Sequence, residues 1–341
     1  MRVDNPGQIK MRVLYPPVEP YAVHQIAVDE PHRLYVEACG NPRGVPVVFL
    51  HGGPGSGCTP DHRRYFDPDF FSIILVDQRG AGRSRPLGET AANTTWDLVA
   101  DLESIRRQLE IERWMLFGGS WGATLALVYA LTHPDHTLGM VLRGSFLARE
   151  EDLTWFLVGL RRLLPRAWEQ LTGGIAGCGV LGPLIDWYHA ALHGEDRQPS
   201  LDAARRWTEW GGQVVNWHKP GSRENGGRGD ESVEQLGHLL AKARIETHYA
   251  QHRYFIRENE ILDRIDSLPG MPVSIIHGRY DLTCIMESAW LLHRAIPGSR
   301  LVEVADAGHL IDDPAMISAL VEETDRMREL LWGKKSANER K

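Results

Sequence analysis

The run Gly118-Gly119-Ser120-Trp121-Gly122 constrains this chain more than any other. A short apolar run, Trp114 to Phe117, precedes it and suits a buried strand. The Ala- and Leu-rich stretch Ala123 to Leu131 follows and predicts a helix that ends before Pro134. A strand that turns sharply into a helix needs residues without bulk on both sides of the turn, which is the Gly-x-Ser-x-Gly requirement. Such a turn holds the Ser120 hydroxyl out beyond the strand, close to a helix N-terminus. There the Trp121 amide points at any oxyanion that develops. A Gly-rich strand-helix turn with an incidental serine would look the same, so the elbow needs support from elsewhere in the chain.

Two further segments supply it. The apolar run Val45 to Leu50 leads into His51-Gly52-Gly53-Pro54-Gly55, a Gly-rich loop where a second oxyanion donor is expected, assigned here to the Gly53 amide. A phosphate-binding loop is the alternative, but neither its lysine nor a Gly-x-Gly-x-x-Gly spacing is present. Downstream, the strand-like Pro272 to Ile276 runs into His277-Gly278-Arg279-Tyr280-Asp281, and Leu301 to Val304 runs into Ala305-Asp306-Ala307-Gly308-His309. The order Ser120, Asp281, His309, with each residue just past a predicted strand, is that of a triad on the α/β-hydrolase fold. Asp281 could instead cap a helix beginning near Met286, and His309 is one of fifteen histidines. Neither alternative explains their joint placement downstream of an elbow.

The rest of the chain fits that architecture. Ala22 to Val28 and Leu34 to Ala38 read as two antiparallel strands split by Asp29-Glu30-Pro31. Strands at Val45–Leu50, Phe71–Val76, Trp114–Phe117 and Met140–Leu142 then alternate with helices. One of these helices, about Thr95 to Leu109, carries Leu98, Leu102, Ile105 and Leu109 on one face. The alternation predicts an α/β fold with a mostly parallel sheet covered by helices. It stops between Phe146 and about Asp266, in a segment with helical patterns and six of the eleven tryptophans. It then resumes and ends in an amphipathic helix near Ala315–Leu331. The expected division is therefore a catalytic domain from 1–145 and 267–341, with a mainly helical cap at 146–266. Most cap tryptophans should form its core, with one or two facing substrate. The polar stretch Lys219 to Gly229 has turn-former composition and reads as a mobile surface loop.

Composition excludes several classes. A net charge of −7 offers no basic footprint for nucleic acid or an anionic membrane. The tail Lys334 to Lys341 reads as a frayed terminus. The four cysteines, Cys39, Cys58, Cys178 and Cys284, are widely spaced without a Cys-x-x-Cys, which argues against a zinc site or a disulfide framework. No run approaches 18 apolar residues, and the first twenty-one residues hold no apolar signal core, so the expected compartment is the cytoplasm.

Taken together, His51-Gly52-Gly53-Pro54-Gly55, Asp77-Gln78-Arg79-Gly80-Ala81-Gly82-Arg83-Ser84, Gly118 to Leu127, Ala243-Arg244-Ile245-Glu246, His277 to Asp281 and Ala307-Gly308-His309 resemble the prolyl aminopeptidases (proline iminopeptidases). The elbow combined with Ala-Arg-Ile-Glu carries the specificity of that resemblance, which covers nearly the whole chain. It implies a cytoplasmic serine exopeptidase that removes an N-terminal proline from small peptides, with no metal or other cofactor. By position it implies Ser120, Asp281 and His309 as the triad and Gly53 and Trp121 as oxyanion donors. It further implies Glu246 as the carboxylate for the substrate's free amino group, Arg143 and Phe146 beside the proline ring, and Cys284 as a thiol near the pocket. From the residues alone, the favoured reading of Glu246 is a surface helix charge paired with Lys242 four residues earlier.

Two positions depart from the family pattern. Trp207-Thr208-Glu209-Trp210-Gly211-Gly212 has Gly211 where a second amino-binding glutamate is usual, and Leu157 stands in place of a tyrosine after Trp155-Phe156. Losing one buried charge-assisted contact weakens amino-terminus recognition by about 1.5–3 kcal/mol. An esterase or amidase for small apolar acyl groups, using the same triad, is the alternative function. Epoxide hydrolase and dehalogenase chemistry is disfavoured because their elbows carry aspartate. A catalytically silent binding protein is disfavoured by the intact triad.

Overall fold

The computed structural model describes residues 11–219 and 232–338. Most of the polar stretch read as a loop, residues 1–10 and the last three residues of the tail lie outside the described residues. Eight strands form one sheet: β1 (Pro20–Ala27), β2 (Arg33–Gly40), β3 (Val45–Leu50), β4 (Phe71–Asp77), β5 (Trp114–Gly119), β6 (Thr137–Arg143), β7 (Val273–Gly278) and β8 (Arg300–Val304). Their order is β1-β2-β4-β3-β5-β6-β7-β8. The strands from β4 to β8 pair in parallel, while β2 runs antiparallel to both β1 and β4.

Alternation along the central strands sorts the core into two layers. Val48, Leu50, Ile74, Leu116, Leu142 and Ile275 share one apolar cluster with the helices α1 (Thr95–Gln108) and α2 (Trp121–Thr132). Val47, Phe49, Ile73, Met115, Phe117, Val141 and Ile276 point the other way and pack with Met316 and Leu320 of α10 (Pro314–Asn338). Eleven of the twelve α2 residues are buried, which is why that helix is built of Ala, Leu and Val without a polar face.

Between β6 and β7 the chain leaves the sheet. It forms α3 (Glu150–Leu157), α4 (Pro165–Thr172), α5 (Leu181–His193), α6 (Arg197–Val215), α7 (Val233–Gln251) and α8 (Glu260–Arg264), and returns to pair β7 beside β6. The helix α9 (Met286–Ala295) then links β7 to β8. Element boundaries differ from the sequence reading by a few residues: β5 continues through Gly119, α2 starts at Trp121, and α10 extends past Leu331 to Asn338. The chain runs from β3 to β4 on one side and continues at β5 on the other, so a crevice opens where the carboxyl ends of β3 and β5 diverge.

Candidate active site

The register places the site. Leu50 pairs with Gly118, Gly119 with Arg143, and Arg143 with Ile276, so the ends of β3, β5, β6 and β7 open onto one edge. The two outer glycines of the elbow are required by contact. A Cβ on Gly118 would lie 2.1 Å from the Gly122 carbonyl oxygen, and one on Gly122 would lie 2.0 Å from the Leu50 oxygen. Ser120 sits at φ 57° and ψ −125°, a strained backbone for a residue with a side chain. Its N–H donates to the Arg143 carbonyl at 2.9 Å. As the first residue of α2, Trp121 has an amide with no carbonyl partner within the helix.

Asp281 and His309 meet across two loops. The His309 Nδ1 lies 2.7 Å from Asp281 Oδ2. The other carboxylate oxygen, Oδ1, accepts from the Thr283 and Cys284 amides, both at 2.9 Å. Asp281 therefore shapes the turn before α9 as well as facing His309, so the turn role weighed from sequence is present beside the other. Burial pushes this carboxyl up, but His309, His277 and the Cys284 amide outweigh it and hold it below its ordinary value. It faces His309 as a carboxylate.

A cavity of about 410 Å³ lies over the edge of the sheet, and Ser120, His309, Gly53, Arg143, Phe146, Cys284 and Glu246 all line it. Its floor comes from the strand ends and its roof from α3, α6 and α7, through Phe156, Leu157, Trp207 and Gly211 among others. Cys284 Sγ lies 4.0 Å from Ser120 Oγ, and burial raises its thiol well above the usual range, so it stays protonated beside the serine. The buried Arg143 guanidinium lies beneath Gly119 and donates through Nη1 to the His309 carbonyl. It ties the β6 end to the His309 loop as well as touching the cavity. Phe146 packs edge-on against Tyr254, with ring centroids 4.9 Å apart.

Glu246 is more than a surface charge, although the pairing with Lys242 also exists. Its Oε2 accepts from the Trp207 indole N–H at 2.8 Å, and Oε1 lies 3.7 Å from Lys242 Nζ. Burial raises this carboxyl above the ordinary glutamate value, only partly countered by Lys242 and Trp207. Of the six tryptophans in the inserted segment, Trp207 lines the cavity; Trp155, Trp168 and Trp210 turn their indole N–H groups to backbone carbonyls. Glu209 is exposed, whereas Gly211 faces the cavity, and a Cβ built on Gly211 meets nothing within 4 Å.

Sequence reasoning gave no role to Lys242 beyond its pairing, and none to Tyr254, His62 or Gln78. His62 lines the cavity, stacks on Phe49 at 4.3 Å and is pushed down to about 4 by burial, so it is neutral near pH 7. Gln78 belongs to a motif that was legible, but its partners lie far away in the chain. Among the described residues, one group of metal-ligand side chains, Glu103, His133 and His136, has its ligand atoms within 4.8 Å of one another. Glu103 already holds Arg106 through both oxygens, and none of the three lines the cavity. No helix among the described residues is long and apolar enough to cross a membrane.

The family model for the alpha/beta hydrolase fold matches residues 45–312. A proline iminopeptidase of Arabidopsis thaliana is 42% identical over 325 residues, 95% of this chain and 84% of that protein. A probable proline iminopeptidase of Leptolyngbya boryana is 44% identical over 318 residues, 93% of this chain and 97% of the relative. Among solved structures, a hydrolase from Pseudomonas aeruginosa PA01 superposes with a TM-score of 0.62 at 18% identity, covering 89% of this chain and 98% of its own. That likeness speaks to the fold alone.

Proposed function

Because the chain belongs to the α/β-hydrolase fold family and, within it, to the proline iminopeptidases, we propose that it is a serine aminopeptidase that removes N-terminal proline, or a similar small residue, from peptides. One observation carries the reading: a half-buried carboxylate on the cavity roof, Glu246, faces a cavity whose floor holds Ser120 and His309. In this reading Ser120 attacks the prolyl carbonyl and His309 takes its proton, then gives it to the leaving amine. Asp281 keeps His309 in the tautomer with its proton on Nδ1. The Gly53 and Trp121 amides hold the oxyanion, and water later resolves the acyl-enzyme. Residues 146–266 act as a cap over the strand ends, with the remaining chain as the catalytic domain. Phe146, Tyr254, Phe156 and Leu157 give the ring an apolar seat beside Arg143 and Cys284. A secondary ammonium entering such a seat needs a carboxylate, and Glu246 supplies it. The expected substrate is a small peptide with a free N-terminus, and cytoplasmic action fits that chemistry.

Esterase action on small neutral acyl groups is a second reading, favoured by one feature. Lys242 already counters Glu246, and the space at Gly211 holds no second carboxylate. Comparing proline, alanine and N-blocked proline anilides with a p-nitrophenyl ester separates the two. The aminopeptidase reading expects N-blocked substrates to react far more slowly than free ones. Glu246→Gln is expected to raise KM strongly for amino-terminal substrates and to leave a neutral ester nearly unchanged. Because burial raises the Glu246 carboxyl, KM for prolyl substrates should climb as pH falls, beginning above the range where an ordinary glutamate titrates. Equal turnover of free and blocked substrates, with Glu246→Gln silent toward both, would replace this reading with the esterase.

Gly211→Glu tests the vacant position directly. Gly211 lies inside α6, where glycine costs about 1 kcal/mol relative to alanine, and its Cβ would enter open space. The variant should fold at least as stably and bind prolyl substrates about tenfold more tightly, as judged by KM. An unchanged KM would show that Glu246 alone sets amino-end affinity.

A further inference from the structure

The two proposed oxyanion amides sit on segments that the chain brings together from far apart, the loop after β3 and the first turn of α2. One side chain spans both. Gln78 follows β4 directly and is 4% exposed. Its carboxamide nitrogen donates to the His51 carbonyl at 2.9 Å, and its carboxamide oxygen accepts from the Trp121 indole N–H at 2.9 Å. Its own backbone N–H donates to His51 Nε2 at 3.0 Å, while His51 Nδ1 lies 2.9 Å from the Gly52 carbonyl. Carbonyls only accept and an indole N–H only donates, so the partners fix both the amide orientation and the His51 tautomer, with the proton on Nδ1. Burial lowers the His51 pKa and keeps the ring neutral, as that arrangement requires.

From this geometry we propose that Gln78 is a positioning residue for the oxyanion hole, setting the separation between the Gly53 and Trp121 amides. The inference rests on the serine hydrolase reading above. A carboxamide offers a donor and an acceptor at one terminus, and both are used here. Glutamate would set an oxygen against the His51 carbonyl, and methionine would leave a buried carbonyl and a buried indole N–H without partners. Either change frees the two segments to drift apart. Donors that must meet a developing charge lose their effect when they are displaced. Ground-state binding of the substrate does not use those donors, so it should be spared.

The test compares the wild-type chain, Gln78→Met, Gln78→Glu and Trp121→Phe, the last removing the indole N–H together with part of a buried ring that packs on Tyr249 and Tyr254. Steady-state kinetics on a prolyl anilide, inhibition by free proline, and the rate of Ser120 labelling by a serine-directed phosphonate are measured for each. Losing one oxyanion donor outright lowers kcat by about 10²–10³-fold, and a displaced pair should cost Gln78→Met about 10–100-fold. KM and inhibition by proline should change less than about threefold, and phosphonate labelling should slow in step with kcat. The chain with Trp121→Phe should lie between wild type and Gln78→Met, and adding Gln78→Met to it should cost less than it does alone. If Gln78→Met fails to fold, Gln78→Glu and Trp121→Phe decide the matter by the same measurements. Wild-type kcat and labelling rates in the folded variants would overturn the inference, as would a loss confined to KM and proline affinity. Failure of the phosphonate to label Ser120 in the wild-type chain would instead overturn the hydrolase reading beneath it.

Discussion

Ser120→Ala is expected to lower kcat by about 10⁶-fold, leaving the residual advantage over water of roughly 10³–10⁴ that binding and the oxyanion hole provide. The fold should survive. Ser120 holds φ 57° in the native elbow, and alanine carries the same Cβ, so the substitution adds no backbone strain. The Oγ contact described for this residue is the long approach to Cys284 at 4.0 Å, so little packing or hydrogen bonding is lost with it. Thermal unfolding should therefore match the wild type, and a phosphonate that labels the wild-type chain should leave the variant unmodified. Full activity in Ser120→Ala would end the triad assignment. Burial keeps the neighbouring Cys284 thiol protonated.

Asp281→Asn should lower kcat by about 10⁴-fold through a change of tautomer. An asparagine oxygen in place of Oδ1 still accepts from the Thr283 and Cys284 amides, so the turn ahead of α9 is retained. Its NH₂ then stands where Oδ2 meets His309 Nδ1 at 2.7 Å. Two donors cannot share that contact, so the imidazole moves its proton to Nε2 and presents N–H where a base is needed. Asp281→Ala should lose the turn as well, and a larger fall in melting temperature for Ala than for Asn would separate orientation from scaffolding. A kcat for Asp281→Asn within tenfold of wild type would remove Asp281 from the mechanism.

The strand ends were legible because the chemistry-bearing motifs directly follow apolar runs, and a parallel sheet aligns those ends without further instruction. Leu50-His51, Phe117-Gly118 and Ile276-His277 are such junctions. The inserted helices were legible as a break in rhythm, but not their boundaries, since tertiary packing settles where α3 to α8 stop. Glu246 shows the limit most clearly. Four-residue spacing to Lys242 predicted an ion pair, and that pair exists; what spacing could not give was Trp207 from another helix and the cavity beyond it. Gln78 was hidden for the same reason. Its meaning depends on His51 and Trp121, 27 and 43 residues away, which the motif around it does not show.

If Glu246 receives the substrate's amino group as proposed, the lysine beside it would make capture an exchange of cations. An empty anionic pocket gains the whole attraction of an arriving ammonium, whereas an ammonium arriving at Glu246 would compete with one already 3.7 Å from Oε1. The net driving force is then the difference between two similar contacts. It should vary little between ring sizes, depend weakly on ionic strength, and leave the shape of the apolar seat to choose the amino acid. On the proposed assignment, a chain built this way would select its substrate by fit around the ring and use charge mainly to decide which end enters first.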